Sequence, residues 1–211
     1  MQYLYAIPVT LALLVIGFLF DVSPQPGRDG LLAIALACAT CVVALLFVPT
    51  RIKVTVTLID AAIVTAIGAA VFLWVSGMTM PWPPLLRLAI TCLLVTFAAL
   101  SLLQFIPGQV ERNRLFVLVG LSSLIAAPVW LGPIAEAAGN PPGLTNLIAG
   151  ISPLSAFAVA LDADILRTNW FYTHSALGSL RYEYFAWSTY LAVLVGLSVV
   201  ILVAPGSRSH S

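Results

Sequence analysis

The sequence predicts an all-α, polytopic integral membrane protein: a bundle of six transmembrane helices, with a re-entrant or interfacial helix pair between the fifth and the sixth. Hydrophobic residues make up 61% of the 211 residues and charged residues only 8%, and the mean hydropathy is +1.08. A soluble domain carries roughly 25% charged residues. This chain therefore has too few charges to cover a water-facing surface. The charges that it has separate long charge-free runs.

Six of these runs are long enough to cross a bilayer as ordinary spans. A helix needs roughly 20 apolar residues, at about 1.5 Å each, to cross about 30 Å of hydrocarbon. The first run has no basic residue before it and no A-x-A cleavage site after it, so we interpret it as a retained span rather than a signal peptide. The predicted spans are about 3–20, 30–49, 55–77, 86–106, 115–137 and 184–204.

The run 137–161 has a different pattern. It opens with the breaker Gly139-Asn140-Pro141-Pro142-Gly143, and Ser152-Pro153 interrupts the apolar residues after this breaker. Proline removes a backbone donor and disfavours helix in the residue before it. We therefore expect a pair of helices that dips into the membrane or lies at its surface, with a seventh full span as the alternative.

Basic residues in the short loops predict the orientation. Arg51 and Lys53 lie in the second loop, and Arg112 and Arg114 lie in the fourth. Both loops are therefore predicted to be cytoplasmic. Both termini then lie inside, in a cell inner (plasma) membrane, and the fifth connecting segment faces outward. Residues 1–205 are predicted to form a single transmembrane domain, and 206–211 a short disordered cytoplasmic tail.

Two pairs of charged residues are expected to pack between helices. Asp60 lies a turn or two inside the third span, where a carboxylate in hydrocarbon costs free energy unless it pairs, is protonated or faces water. We expect it to pair with Arg112 or Arg114; a proton or substrate path is the alternative. Arg87 and Glu136 both fall on the outer side, which favours a second pair between them.

Aromatic residues cluster in 169–187, where the chain returns to the membrane. Trp and Tyr favour the headgroup level, so an aromatic belt is one interpretation, and a surface that also contacts a partner or lines an outer vestibule is the other. Asp162 and Asp164 form a D-x-D, which we interpret as an acidic helix start with Arg167 on the same face. The candidate outer contact surface comprises Asp164, Arg167, Trp170, Tyr172, His174, Arg181, Tyr184 and Trp187.

The sequence contains no recognisable catalytic, cofactor or metal site. Cys38 and Cys41 have C-x-x-C spacing, but the residues on both sides are apolar, so we expect these thiols to be buried small hydrophobes. No H-E-x-x-H or G-x-S-x-G motif occurs. The nine basic residues are scattered, which disfavours nucleic-acid binding. An enzyme is therefore the least favoured functional class.

From about 115 to 204 the order of elements is a span, a breaker, a short run containing SPLSA at 152–156, an outward segment and a last span. This pattern resembles the end of the membrane domain of ABC-2-type transporter permeases. The resemblance implies six spans, cytoplasmic termini and a short re-entrant helix pair. The chain has no G-x-x-x-x-G-K-[ST] motif, so any ATPase would be a separate subunit.

Two functions remain in view. The chain is expected to be an integral membrane subunit of a multi-protein complex, such as an ABC-2-like transport permease. The alternative is a non-catalytic scaffolding subunit of a larger membrane assembly, for example of respiratory type. Both functions predict contact with the lipid bilayer and with at least one further membrane or ATPase subunit, and neither predicts a cofactor.

Overall fold

The computed structural model describes residues 28–48, 54–76, 81–106, 109–164 and 181–203. Every regular element in these ranges is a helix, which confirms the all-α class for this part of the chain. The helices are α1 (Arg28–Phe47), α2 (Val54–Ser76), α3 (Trp82–Phe105), α4 (Val110–Ile125), α5 (Ala127–Trp130), α6 (Gly132–Ala137), α7 (Pro142–Ile151), α8 (Pro153–Ala160) and α9 (Trp187–Val203).

The centre of the bundle is α3, which packs against α1, α2, α4, α8 and α9. Its buried face combines apolar side chains with small polar ones, and Thr91 and Thr96 are fully buried. A buried hydroxyl costs free energy unless it is bonded. The Thr91 hydroxyl donates to the Arg87 carbonyl one turn earlier, at 2.8 Å, so α3 satisfies this group within its own backbone.

The helix α2 lies at the edge of the bundle. In its most apolar window, Thr55–Leu73, 22% of the residues are buried inside the structure, against 56% in the Trp82–Leu103 window of α3. Where α2 meets α1 the two backbones come close, because a Cβ atom on Gly68 would overlap the Thr40 side chain. Small residues permit such close approach between membrane helices, so the structure uses Gly68 as a helix contact point.

The predicted spans at 30–49, 55–77, 86–106 and 184–204 coincide with α1, α2, α3 and α9. Within the described ranges, two helices are long and apolar enough to cross a membrane, or up to four if each bent helix pair counts as one span. The helices Leu32–Phe47 and Trp187–Val200 are apolar but shorter. A six-span bundle is therefore not confirmed. The first predicted span, 3–20, and the tail lie outside the described residues.

The fifth predicted span, 115–137, is not one straight helix. It is divided into α4, α5 and α6, and the chain bends by 58° between Val110–Ile125 and Ala127–Ala137. Pro128 and Pro133 lie at the starts of α5 and α6, where a proline costs no helical hydrogen bond. The apolar run predicted a continuous helix, but these two prolines start new helices instead.

The run 137–161 contains two helices, as predicted, and their placement within or on the membrane stays a prediction. The two helices α7 and α8 meet at a bend of 82°. Before them, Gly139 and Asn140 have positive φ angles of 79° and 59°, which Gly and Asn adopt at the least cost. At the bend, the Ser152 hydroxyl accepts from the Leu154 amide at 3.2 Å and donates to the Ile125 carbonyl at 3.2 Å. Ser152 therefore caps α8 and joins the helix pair to α4.

Candidate partner-contact site

The candidate site begins where α8 ends. The chain leaves the helix through Asp162, whose φ of 54° lies in the left-handed region that Asp tolerates better than most residues. Asp162 and Asp164 thus follow the end of α8, and the predicted acidic helix start with Arg167 falls on residues beyond Asp164 that lie outside the described ranges. The turn points their carboxylates toward different partners.

Asp162 pairs with Arg87 at the start of α3. The Arg87 Nη1 donates to Oδ1 at 3.1 Å and Nη2 to Oδ2 at 2.5 Å, in the bidentate geometry that suits guanidinium and carboxylate. The side chains are 29% and 64% exposed, so water weakens the pair. The expected partner of Arg87 was Glu136, which is exposed. That prediction is wrong because α8, rather than α6, ends beside the start of α3.

Asp164 receives two phenolic hydroxyls from the segment before α9. The Tyr182 and Tyr184 hydroxyls both donate to Asp164 Oδ1, at 3.0 Å and 2.9 Å. The two rings pack edge to face, with centroids 5.3 Å apart, a favourable arrangement for aromatic pairs. These hydrogen bonds bring Asp164, which precedes the segment 165–180, together with Tyr182 and Tyr184, which follow it.

The stretch 181–186 contacts two neighbours, Asp164 after α8 and the helix α7. Tyr182 and Tyr184 point to Asp164. On the α7 side, the Glu183 amide donates to Asn146 Oδ1 at 2.9 Å, and the Phe185 ring occupies the space beside Gly150, where a Cβ atom would overlap it. We refer to 181–186 as the strap, because it lies between α7 and the end of α8.

The beginning of α9 is fastened to α3. The Trp187 indole Nε1 donates to Thr91 Oγ1 at 3.0 Å, and Thr91 in turn donates to the Arg87 carbonyl. Tyr182 and Tyr190 are only 5% and 6% exposed. The described aromatic residues of this cluster therefore hold the end of the bundle together, a use that neither the belt nor the partner-surface interpretation had considered.

The predicted contact surface is only partly described. Asp164, Tyr184 and Trp187 meet at the strap, and Arg181 is exposed beside them. Arg167, Trp170, Tyr172 and His174 lie outside the described residues. Arg87, Asn146 and Thr91 also belong to the network and were missed as its members. The sequence places Arg87 and the D-x-D on the same, outer side of the membrane, and this shared side is the signal that could have predicted their contact.

The second polar site predicted from the sequence comprises Asp60, Arg112 and Arg114, and Arg114 lies at the C-terminal end of α1. Arg114 does not pair with Asp60: its Nη1 donates to the Leu46 carbonyl at 2.8 Å and its Nη2 to the Val48 carbonyl at 2.6 Å. These carbonyls at the end of α1 have no helical donor, and a cation there also interacts favourably with the helix dipole. Arg112 is exposed, and the buried Oδ2 of Asp60 has no hydrogen-bond partner in the part of the chain that the structure describes. The predicted ion pair is therefore wrong.

The three cysteines lie in the interior between α1 and α3, and all are free thiols. Cys41 and Cys92 are buried and Cys38 is half-buried, so the expectation of a buried small side chain is confirmed for Cys41 and holds only in part for Cys38. The Cys41 Sγ lies 3.4 Å from Thr96 Oγ1, and the Cys92 thiol faces the Ala37 carbonyl at 3.8 Å. Among the residues whose positions are described, His, Cys, Asp and Glu form no group of three or more that could hold a metal ion.

The site thus consists of a half-exposed carboxylate turn, a bidentate ion pair and a tyrosine-lined strap. This arrangement is suited to fixing the geometry of a connecting segment rather than to moving protons or electrons. Comparison of the chain with protein-family models, with curated proteins and with solved structures finds no match. The resemblance to ABC-2-type permeases stays a prediction.

Proposed function

We propose that the chain is an integral membrane subunit that scaffolds a larger membrane assembly. The observation that carries this proposal is the clamp formed by Asp164, Tyr182 and Tyr184. It joins the two ends of the segment 165–180, which contains Trp170, Tyr172 and His174. Aromatic residues supply much of the binding energy at protein interfaces.

The interior of the bundle supports scaffolding better than transport by this chain alone. A cavity with a volume of about 170 Å³ lies among α1, α2 and α3. Its lining is almost entirely apolar, with Thr40, Thr65 and Cys92 as the polar exceptions. A pathway for a polar substrate needs polar groups that replace water along its length, and this cavity offers few.

A second candidate function is an ABC-2-like transport permease subunit. The 82° bend between α7 and α8 favours it, because the resemblance implies a short broken helix pair at this place in the chain. This function requires an ATPase subunit, since the sequence has no nucleotide-binding motif of its own. Copurification of an ATPase with the chain would therefore favour transport over scaffolding.

The test is a pull-down of the tagged full-length chain from membranes in a gentle detergent. We expect Trp170→Ala and Tyr172→Ala to lower the amount of copurifying subunit several-fold, since each removes an aromatic contact. Asp164→Asn is expected to have a smaller effect in the same direction, because the neutral amide accepts weaker hydrogen bonds than a carboxylate.

The matched control is Glu136→Gln, which removes an exposed charge of the same sign on α6. It is expected to leave the copurifying subunits unchanged. Scaffolding through this segment is refuted if Trp170→Ala and Tyr172→Ala retain every subunit at the level of the control while the protein remains folded and membrane-inserted.

A further inference from the structure

We propose that the outer face of α2 docks a membrane-spanning helix of another chain, and that this helix carries a lysine or arginine that pairs with Asp60. The inference rests on the proposed function, because it names the chemistry of one partner in the assembly. It concerns a surface distant from the strap, and the two ideas can fail independently.

The first observation is that, among the described residues, α2 is covered on one side only. Four β-branched residues on its outer face have exposed fractions between 41% and 58%: Ile59, Ile63, Ile67 and Val71. Between them, Ala62, Ala66 and Ala70 are exposed at intervals of four residues. Such an apolar face with small residues lets a second helix approach closely, but lipid could cover it equally well. A further observation is needed to identify the occupant.

That observation is Asp60, which lies at the edge of this face, in line with Ile67 and Val71 at helical spacing. The side chain is half-buried, and its Oδ2 is buried without a hydrogen-bond partner among the described residues. A carboxylate in such surroundings is costly unless it is paired. Of the two expected cations, Arg114 donates to the carbonyls at the end of α1 and Arg112 is exposed.

The negative charge of Asp60 distinguishes between the possible occupants of the outer face of α2. A second copy of this chain, packed through the same face about a two-fold axis, would bring its own Asp60 toward the first, and like charges repel. A lipid tail has no hydrogen-bond donor. Asp60 lies six residues after the start of α2, or about 9 Å along the helix. The long side chain of a lysine or arginine near the end of a neighbouring helix can span that depth.

The experiment measures energy transfer in phosphatidylcholine liposomes between the labelled full-length chain and a synthetic probe helix. The probe is a Leu/Ala peptide of about 20 residues with a single lysine two turns from the end that lies level with Asp60. The control peptide has leucine in place of that lysine. We expect the lysine peptide to associate about 5- to 30-fold more tightly than the leucine peptide, and Asp60→Asn to remove the difference.

Two tryptophan substitutions locate the contact. Ala66→Trp places a bulky side chain on the proposed face and is expected to abolish association of the lysine peptide. Val119→Trp, at an exposed position on α4, is expected to leave it unchanged. Among the described residues, the buried oxygen of Asp60 has no hydrogen-bond partner, so the Asp60→Asn variant should unfold at the same temperature as the wild type or at a higher one. This measurement distinguishes a loss of docking from a loss of folding.

The proposal is overturned if the leucine peptide binds as tightly as the lysine peptide, or if Asp60→Asn keeps the preference. It is also overturned if two differently labelled copies of the chain associate and Ala66→Trp separates them, since a second copy then occupies the face. If any of these results occurs while the pull-down still recovers a partner that depends on Trp170, the scaffold function stands and only the docking of a basic helix at α2 falls.

Discussion

At the scale of single residues, Arg114 has the most clearly defined role. It is an α4 side chain that supplies donors to the exposed carbonyl end of α1, through Leu46 and Val48. The sequence indicated that this arginine would satisfy a buried partner, and the predicted partner was a carboxylate. The structure uses backbone carbonyls instead, because the last turn of any helix leaves acceptors without donors. Such acceptors have no sequence signature.

We therefore predict that Arg114→Ala lowers the free energy of unfolding by about 2–4 kcal/mol, since two charge-assisted hydrogen bonds are lost and their acceptors stay partly buried. Arg112→Ala is the matched control, because Arg112 is exposed two residues away; its effect should stay within about 0.5 kcal/mol. Unfolding in mixed detergent and SDS micelles measures both. Equal effects would mean that Arg114 acts only through its net charge.

At the scale of helices, the bent pair α7–α8 could be predicted because its signals are local. The Gly-Asn-Pro-Pro breaker and Ser152-Pro153 act on neighbouring backbone, so the sequence located both. The division of 115–137 was missed although Pro128 and Pro133 were visible, because the length of the apolar run was given more weight than its prolines. The contacts that hold the pair in place could not be predicted, since the strap approaches it from more than thirty residues away along the chain.

The contact between α7 and the strap gives a test at this scale. Gly150→Ala is predicted to lower the free energy of unfolding by about 1–3 kcal/mol, because the added methyl group overlaps the Phe185 ring. Gly120→Ala, in the middle of α4 with open space around it, should be neutral or stabilising by up to about 1 kcal/mol.

A double-mutant cycle checks the cause of the Gly150→Ala effect. In a Phe185→Ala background the overlapping ring is gone, and Gly150→Ala should then cost much less than in the wild type. If the cost is the same in both backgrounds, the methyl group disturbs α7 itself rather than its contact with the strap.

At the scale of the whole molecule, the contacts separate two ends of the bundle. Arg114 reaches the end of α1, so the end of α1 and the first turns of α4 lie near each other. The strap and Asp162 gather at the start of α3, at the other end. Composition alone predicted helices and a membrane environment. The number of spans depends on packing and on where helices bend, which an apolar run does not specify.

This separation predicts the result of accessibility labelling. In a variant without the three native cysteines, we expect a membrane-impermeant maleimide to label Gln109→Cys and Glu183→Cys from opposite sides of the membrane. Both positions are exposed. Labelling of both from the same side would refute the predicted orientation, and the control is a membrane-permeant maleimide, which should label both positions from either side.

The contacts of the strap have a consequence for how this protein can change during evolution. Because the strap contacts Asp164 through Tyr182 and Tyr184 and α7 through the Glu183 backbone amide and the Phe185 ring, inserting or deleting one residue there would shift some of these groups away from their neighbours. These contacts do not fix the number of residues in the segment 165–180, which lies between Asp164 and the strap. Homologues should therefore differ in length between Asp164 and Arg181, and keep a constant spacing from Tyr182 to Trp187.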